Sequence, residues 1–365
     1  MDVNAVLGDA ALVVCVGPGG VGKTSVAASL GIAAARAGRR VCVLTVDPAR
    51  RLAAALGVGL GDHPSRVPIT AAGELWAAML DAPASLAAMI DRVAPDPEFK
   101  RRMLADPMYR AGAGALSRSH AYAAMEWLHD VFEREAFDLV VLDTPPAAVG
   151  VEMFDAPGRL LALLDPKVFG WLLEPRKPGL AGRVLAGGGA LVRRGAEAVM
   201  GEGPWSSLVD FLGLLARLQP GFVVRSAAMA ARMRRADTRF VLVSRPEALA
   251  LADLDQIAAA LIERHLPIAA AVWNRVPVDV DDPGPVDLAA AAQILGALDE
   301  RAAAVLVAAR GARQVAASER TRARARAHAF AGRLGIPRSF EVPEFESMAD
   351  LDDLLRIATA LAEPA

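Results

Sequence analysis

Gly17, Gly22, Lys23 and Thr24, within "VVCVGPGGVGKTSVAASLG" at residues 13–31, have the spacing of a phosphate-binding loop. Gly17, Gly19, Gly20 and Gly22 let consecutive backbone N–H groups turn inward around phosphate oxygens. A helix starting near Lys23 adds the positive end of its dipole. Lys23 is placed for the β- and γ-phosphates and the Thr24 hydroxyl for Mg2+. Pro18, Val21 and Ser25 complete a loop that reads as a site for a nucleoside triphosphate. Two carboxylates extend that chemistry. Asp143 closes the apolar run "FDLVVLD" and suits the shell of a bound Mg2+. Asp47 closes "VCVLTVD" and is then available to orient or deprotonate an attacking water. Either aspartate, standing before or near proline, also suits a plain turn or helix cap.

Those side chains need a scaffold that brings the ends of several strands together. Near-continuous apolar runs at 11–17, 41–47 and 137–143 read as parallel strands covered on both faces. Runs at 239–244, 267–274 and 339–343 extend the set, with 74–81 a weaker member. Helical patterns alternate with them, at 23–37 up to Gly38 and at 246–264 with Pro246 as first helical residue. The alternation predicts an α/β fold, a doubly wound, mostly parallel sheet of the P-loop NTPase type. Strands at their carboxyl ends face the ligand crevice in such sheets, which is where the loop and both aspartates fall. Helical periodicity without strands at 83–135 and 151–236 predicts an inserted α-helical subdomain. The nucleotide-binding domain would then comprise 1–82, 136–150 and 237–365.

Composition narrows the rest. The chain has 365 residues, 54% of them hydrophobic, and a formal net charge of −2, so no global field draws it to nucleic acid or an anionic membrane. Only Lys23, Lys100, Lys167 and Lys177 are lysines among 40 basic residues, so an arginine near any site is cheap by composition. "MDVNAVLGDA" has neither the basic nor the apolar region of a signal peptide, and charge interrupts every apolar run short of a membrane span. A cytoplasmic protein with no stable membrane insertion is expected. Cys15 and Cys42, the two cysteines, each sit in an apolar strand and read as core thiols.

The motifs "GPGGVGKTSVAASLG", "LTVDPARRLAAALG", "FDLVVLDTPP", "VSRPEALALADLDQIAAAL", "AAVWNRV" and "EVPEF" occur in this order. On them the chain resembles the ArsA/Get-type ATPases, which include the arsenite-pump ATPase and the ATPase that escorts tail-anchored membrane proteins. Bacterial Get-like paralogues are the nearest in kind. The resemblance implies ATP and Mg2+ as ligands, adenine rather than guanine, and a homodimer or a heterodimer with a paralogue. It implies that Asp47 activates water and that Asn274 hydrogen-bonds the adenine ring. By the same resemblance Glu247 contacts adenosine across the dimer, and the segment after Pro343 packs near the base. The family usually carries lysine where this chain has Pro18, a lysine that reaches the partner's phosphates. Proline offers neither cation nor N–H donor, so slow turnover is expected unless Arg50 or Arg51 supplies the charge.

Several functions remain open on this reading. The first is an ATP-driven carrier of a hydrophobic protein client, for which eight of the eleven methionines fall within residues 83–236. Ordinary core filling explains those methionines equally. An arsenite or oxyanion pump subunit would want more thiolates than two cysteines give. A Min/Par-like positioning ATPase would use the arginine-rich "SERTRARARAHAFAGRL", whose arginines at spacing two spread around a helix and specify no nucleic acid. A module that binds nucleotide without hydrolysing it is the last.

Overall fold

In the computed structural model, residues 3–46, 51–106, 109, 120–145, 198, 201–277, 300–345 and 350–362 are described. The described elements run α1 (Asn4–Leu7), β1 (Leu12–Val16), α2 (Lys23–Arg36), β2 (Arg40–Thr45), α3 (Arg51–Leu56), β3 (Ser65–Val67) and β4 (Glu74–Met79). They continue with α4 (Ala82–Val93), α5 (Pro97–Ala105), α6 (His120–Glu133), β5 (Leu139–Asp143), α7 (Glu202–Met233) and β6 (Thr238–Ser244). The last are α8 (Ala248–Glu263), β7 (Ile268–Val276), α9 (Glu300–Leu334), β8 (Ser339–Pro343) and α10 (Leu351–Ala362). The eight strands form one sheet in the order β3-β4-β2-β5-β1-β6-β7-β8. Every described pairing is parallel except β3 with β4. This is the α/β sheet with flanking helices that the sequence predicts.

The apolar runs become the central strands because both faces of the sheet are covered. All five residues of β1 and all five of β5 are buried. Side chains alternate between two cores. Val13 and Cys15 join α1, α2, α3 and α10 on one face. Leu12, Val14 and Val16 join α6, α8, the end of α7 and the last turns of α9 on the other. Helix α2 presses closely on the sheet because its small residues permit it. A Cβ on Gly31 would lie 2.5 Å from Val43 Cγ2. Beyond Ala37, Gly38 takes φ +95° and ends the helix in the left-handed region that glycine accepts.

The structure corrects the sequence reading at Pro246 and adds to it at β3 and α9. The three-residue β3, antiparallel at the edge, has no counterpart in the apolar pattern because three residues carry no periodicity. Pro246 precedes α8 rather than opening it, since Glu247 is the N-cap residue and Ala248 the first helical one. Three arginines of α9 are engaged in ion pairs within the chain. Arg324 chelates Glu341 at 2.7 and 2.9 Å, Arg322 meets Glu319 at 2.9 Å, and Arg333 meets Asp255 at 3.0 Å.

Helices α4, α5, α6 and α7 pack on one another. Arg225 of α7 donates to Glu126 and, at 2.8 Å, to Asp130 of α6, and Arg92 of α4 meets the other oxygen of Asp130. His129 lies among these groups, and burial together with Arg225 holds its pKa below the ordinary histidine value. Helix α7 bends by 52° between Trp205–Leu218 and Val223–Met233, where Pro220 removes a backbone donor. Gly221 beside it lets α7 approach Val93 of α4, which a Cβ would meet at 2.8 Å. Met103, Met125, Met229 and Met233 are buried, so these four of the methionines fill core. Met108, Met153 and Met200 lie outside the described residues, as does almost all of 151–200. Among the described residues no single helix is long and apolar enough to cross a membrane.

Candidate functional site

The parallel order puts the carboxyl ends of β1, β2, β5 and β6 side by side, and the loop Gly17–Gly22 leaves β1 at that edge. Gly17 packs so tightly on β6 that a Cβ would stand 1.9 Å from the Val243 carbonyl oxygen. Gly22 takes φ +90° just before Lys23 opens α2, and a Cβ there would fall 2.2 Å from Asn274 Nδ2. Gly20 takes φ +74° with nothing within 4 Å of its would-be Cβ, and Gly19 beside it is exposed. The loop is thus closed on the protein side and open outward, a cradle that side chains would fill. Gly17→Ala must force β1 from β6 or distort the loop, an overpacking cost of at least about 1–3 kcal/mol. A lowered melting temperature and lost nucleotide binding in calorimetry are the expected results.

Lys23 is buried, at 7% exposure. Its Nζ donates to the Gly17 carbonyl at 3.0 Å and the Pro18 carbonyl at 2.8 Å. The ammonium therefore lies over the loop's first residues, and its backbone contacts shape the loop. Pro18, buried, contributes a carbonyl acceptor to that arrangement.

Across the strand edge, Thr24 Oγ1 donates to Asp143 Oδ2 at 2.7 Å. Asp143 ends β5 and is fully buried, with Cys15 of β1 and Thr45 of β2 as its register partners. Thr45 Oγ1 donates to the same Oδ2 at 2.9 Å. Two hydroxyls thus hold the carboxylate in place, one from the loop helix and one from the neighbouring strand. Thr45 was not singled out in the sequence, though it is the polar residue that interrupts an apolar strand at the level of Asp143. Thr144, the next residue, donates through Oγ1 to the Cys15 carbonyl at 2.7 Å and ties the exit of β5 to β1.

Asn274 is buried at the far side of the loop, and its Nδ2 donates to the Val21 carbonyl at 2.7 Å. Its Oδ1 is buried without a hydrogen-bond partner among the described residues. An unmet acceptor of that kind suits an amino group of a bound base. Arg275 follows with φ +56° at an irregularity in the β7–β8 register, which turns the chain just past Asn274. Val276 is paired with Pro343, so the end of β8 stands one strand from Asn274. Glu247 is half-exposed at the entry of α8, where its Oε1 meets Arg245 Nη2 at 2.7 Å. Ser25 is half-buried in the first turn of α2. Asp47 and Arg50 lie outside the described residues, and Arg51 opens α3.

The structure thus brings Lys23, Thr24, Asp143, Val21, Asn274 and the glycines into one constellation. Hard oxygen donors at Thr24 and Asp143 fit Mg2+, and the glycine cradle with buried Lys23 fits a polyphosphate. The cysteines are elsewhere. Cys15 and Cys42 belong to the cores on opposite faces of the sheet, and burial pushes both thiols far above their ordinary pKa, with the Asp143 charge adding at Cys15. They cannot share a soft ion.

A loop of this kind between a central parallel strand and its helix defines a P-loop nucleotide-binding α/β protein. Residues 10–169 match the family model of the ArsA-type anion-transporting ATPases. An uncharacterised protein of Streptomyces coelicolor is 36% identical over 154 residues, which cover 40% of this chain and 36% of that protein. A putative arsenical pump-driving ATPase of Halobacterium salinarum is 28% identical over 158 residues, covering 41% of this chain and 24% of the relative. The chain thus aligns with about a third and a quarter of these relatives' own lengths.

Proposed function

We propose that this chain is a Mg2+-dependent ATPase of the ArsA/Get type. The carrying observation is the 2.7 Å contact between Thr24 Oγ1 and Asp143 Oδ2, which joins the helix after the loop to a strand end 119 residues away. A hydroxyl and a carboxylate so placed hold a divalent cation beside the phosphates. When bound, Mg2+ neutralises charge that develops on the transferred phosphoryl group. The residues of this chain do the remainder. The loop amides and Lys23 bind the β- and γ-phosphates, with Lys23 exchanging a loop carbonyl for a phosphate oxygen. Asn274 keeps Val21 through its Nδ2 and accepts the adenine amino group at Oδ1, which guanine, presenting an oxygen there, would not satisfy. Asp47, following β2, orients the water.

The segments 83–135 and 151–236 form the client-handling part of a dimer in this reading. The contacts of α4 and α6 with the bent α7 support it, because they give nucleotide-dependent movement of the strand ends a packed element to act on. The test is calorimetry and steady-state hydrolysis with ATP, GTP and ATP plus a chelator. Micromolar ATP binding that weakens on chelation, with slow phosphate release, is expected. Folded protein that takes up no adenine nucleotide at millimolar concentration with Mg2+ ends the proposal.

A further inference from the structure

A magnesium-bound triphosphate keeps negative charge that the single ammonium of Lys23 does not balance, and Pro18 brings none to the loop. Three described arginines lie at or just past strand carboxyl ends at this rim. Arg51 lies after β2, which β5 separates from β1, and Arg275 lies on β7, which β6 separates from β1. Arg245 follows β6 itself, the direct neighbour of β1. Leu242 is the register partner of Val16, and Gly17 abuts Val243 with no room for a Cβ, so Arg245 leaves the sheet two residues past that contact.

Its side chain is in an unfinished state. Nη2 pairs with the half-exposed Glu247 at 2.7 Å. Nε is buried and has no hydrogen-bond partner among the described residues. A desolvated guanidinium N–H is costly to leave idle, and a planar fork is the geometry that phosphate oxygens satisfy best.

We propose that Arg245 is the second phosphate-binding cation of this site, supplying from the end of β6 the charge that Pro18 cannot supply from the loop. This rests on the ATP-site reading above. Glu247 holds the guanidinium by one nitrogen, which leaves Nε for a phosphate oxygen. The pair also joins the phosphate side of the site to the start of α8, so occupancy by a longer phosphate chain alters the contact at Glu247. A solely structural pair would fix the entry of α8 and be indifferent to phosphate number.

Calorimetry with ATP, ADP and adenosine in the presence of Mg2+ separates the two roles, on the full chain as wild type, Arg245→Ala, Arg245→Gln and Arg245→Lys. Arg245→Ala is expected to weaken ATP about 10–100-fold, ADP less, and adenosine not at all, as for loss of a charged hydrogen bond. Arg245→Lys, which keeps the charge and loses the fork, is expected to bind ATP between wild type and Arg245→Ala. Pro18→Lys introduced into Arg245→Ala is expected to restore part of what was lost. Equal weakening of ATP and adenosine, or unchanged ATP affinity in folded Arg245→Ala, overturns the proposal. Should Arg245→Ala not fold, Arg245→Lys and Arg245→Gln decide it, and equal ATP affinity in those two sinks it. Wild-type protein that binds ATP while all Arg245 variants match it refutes this inference alone. Wild type that binds no ATP refutes the ATPase reading as well.

Discussion

Lys23→Ala is expected to abolish nucleotide-dependent stabilisation while leaving the bare protein folded. Lys23 is a buried cation whose described partners include two loop carbonyls, at Gly17 and Pro18. Truncation removes charged hydrogen bonds of about 1.5–3 kcal/mol each toward phosphate, or roughly 10–100-fold in affinity for each one lost. It also removes transition-state charge stabilisation, so hydrolysis should fall further than binding. In the bare protein the balance is closer, because removing a buried ammonium offsets the carbonyl contacts that go with it. A thermal melt reads both terms at once. Wild type should gain about 2.7 kcal/mol at 100 times the Kd of ATP·Mg2+, and Lys23→Ala should gain almost nothing at the same concentration. Lys23→Arg is expected to fail nearly as completely, since a planar fork cannot occupy a position shaped by two adjacent carbonyls around a compact ammonium. Nucleotide stabilisation that survives in Lys23→Ala would mean that the loop is not the phosphate site.

How much of this was legible before the structure depends on how far apart in the chain the partners lie. The loop was readable because its chemistry is carried by consecutive residues, and the strand ends at Asp143 and Asn274 because continuous apolar runs announce buried parallel strands. Thr45 was not readable as a partner. Its hydroxyl meets a carboxylate 98 residues on, and only the β2–β5 register puts them at one level. The same holds for Val243, whose backbone oxygen is what requires glycine at 17. Arg245 lies two residues before Glu247, but nothing in the sequence marks it, because its closeness to the loop follows from β6 lying beside β1 and not from sequence distance. Helix α9 shows the limit for secondary structure. Alanine and arginine recur all around its 35 residues, so no apolar stripe marks its extent, and its last turns dock through Ala327, Phe330 and Ala331, with Phe330 edge-on to Trp273 of β7.

Asp143→Asn should separate metal binding from folding, because the two depend on different properties of the same side chain. Thr24 and Thr45 both donate to Oδ2, and an amide oxygen accepts from them as a carboxylate does. The fold and its melting temperature should therefore change little. The charge that draws Mg2+ is lost, so ATP binding with Mg2+ should fall to its level with chelator, and hydrolysis should drop by about 100-fold or more. Asp143→Ala is the contrasting case. It removes the acceptor that Thr24 and Thr45 share together with the charge, so it should lose stability, by about 1–3 kcal/mol, and activity together. Thr45→Val completes the separation, since Thr45 steadies the carboxylate from β2 whereas Thr24 shares the loop helix with the phosphate site. It should cost about 1 kcal/mol of stability and only several-fold in rate, with Mg2+ dependence intact. If Thr45→Val removed Mg2+ dependence as fully as Asp143→Asn does, the metal would have to sit on the β2 side of Asp143. Thr24 would then be a positioning residue for the carboxylate instead of a ligand.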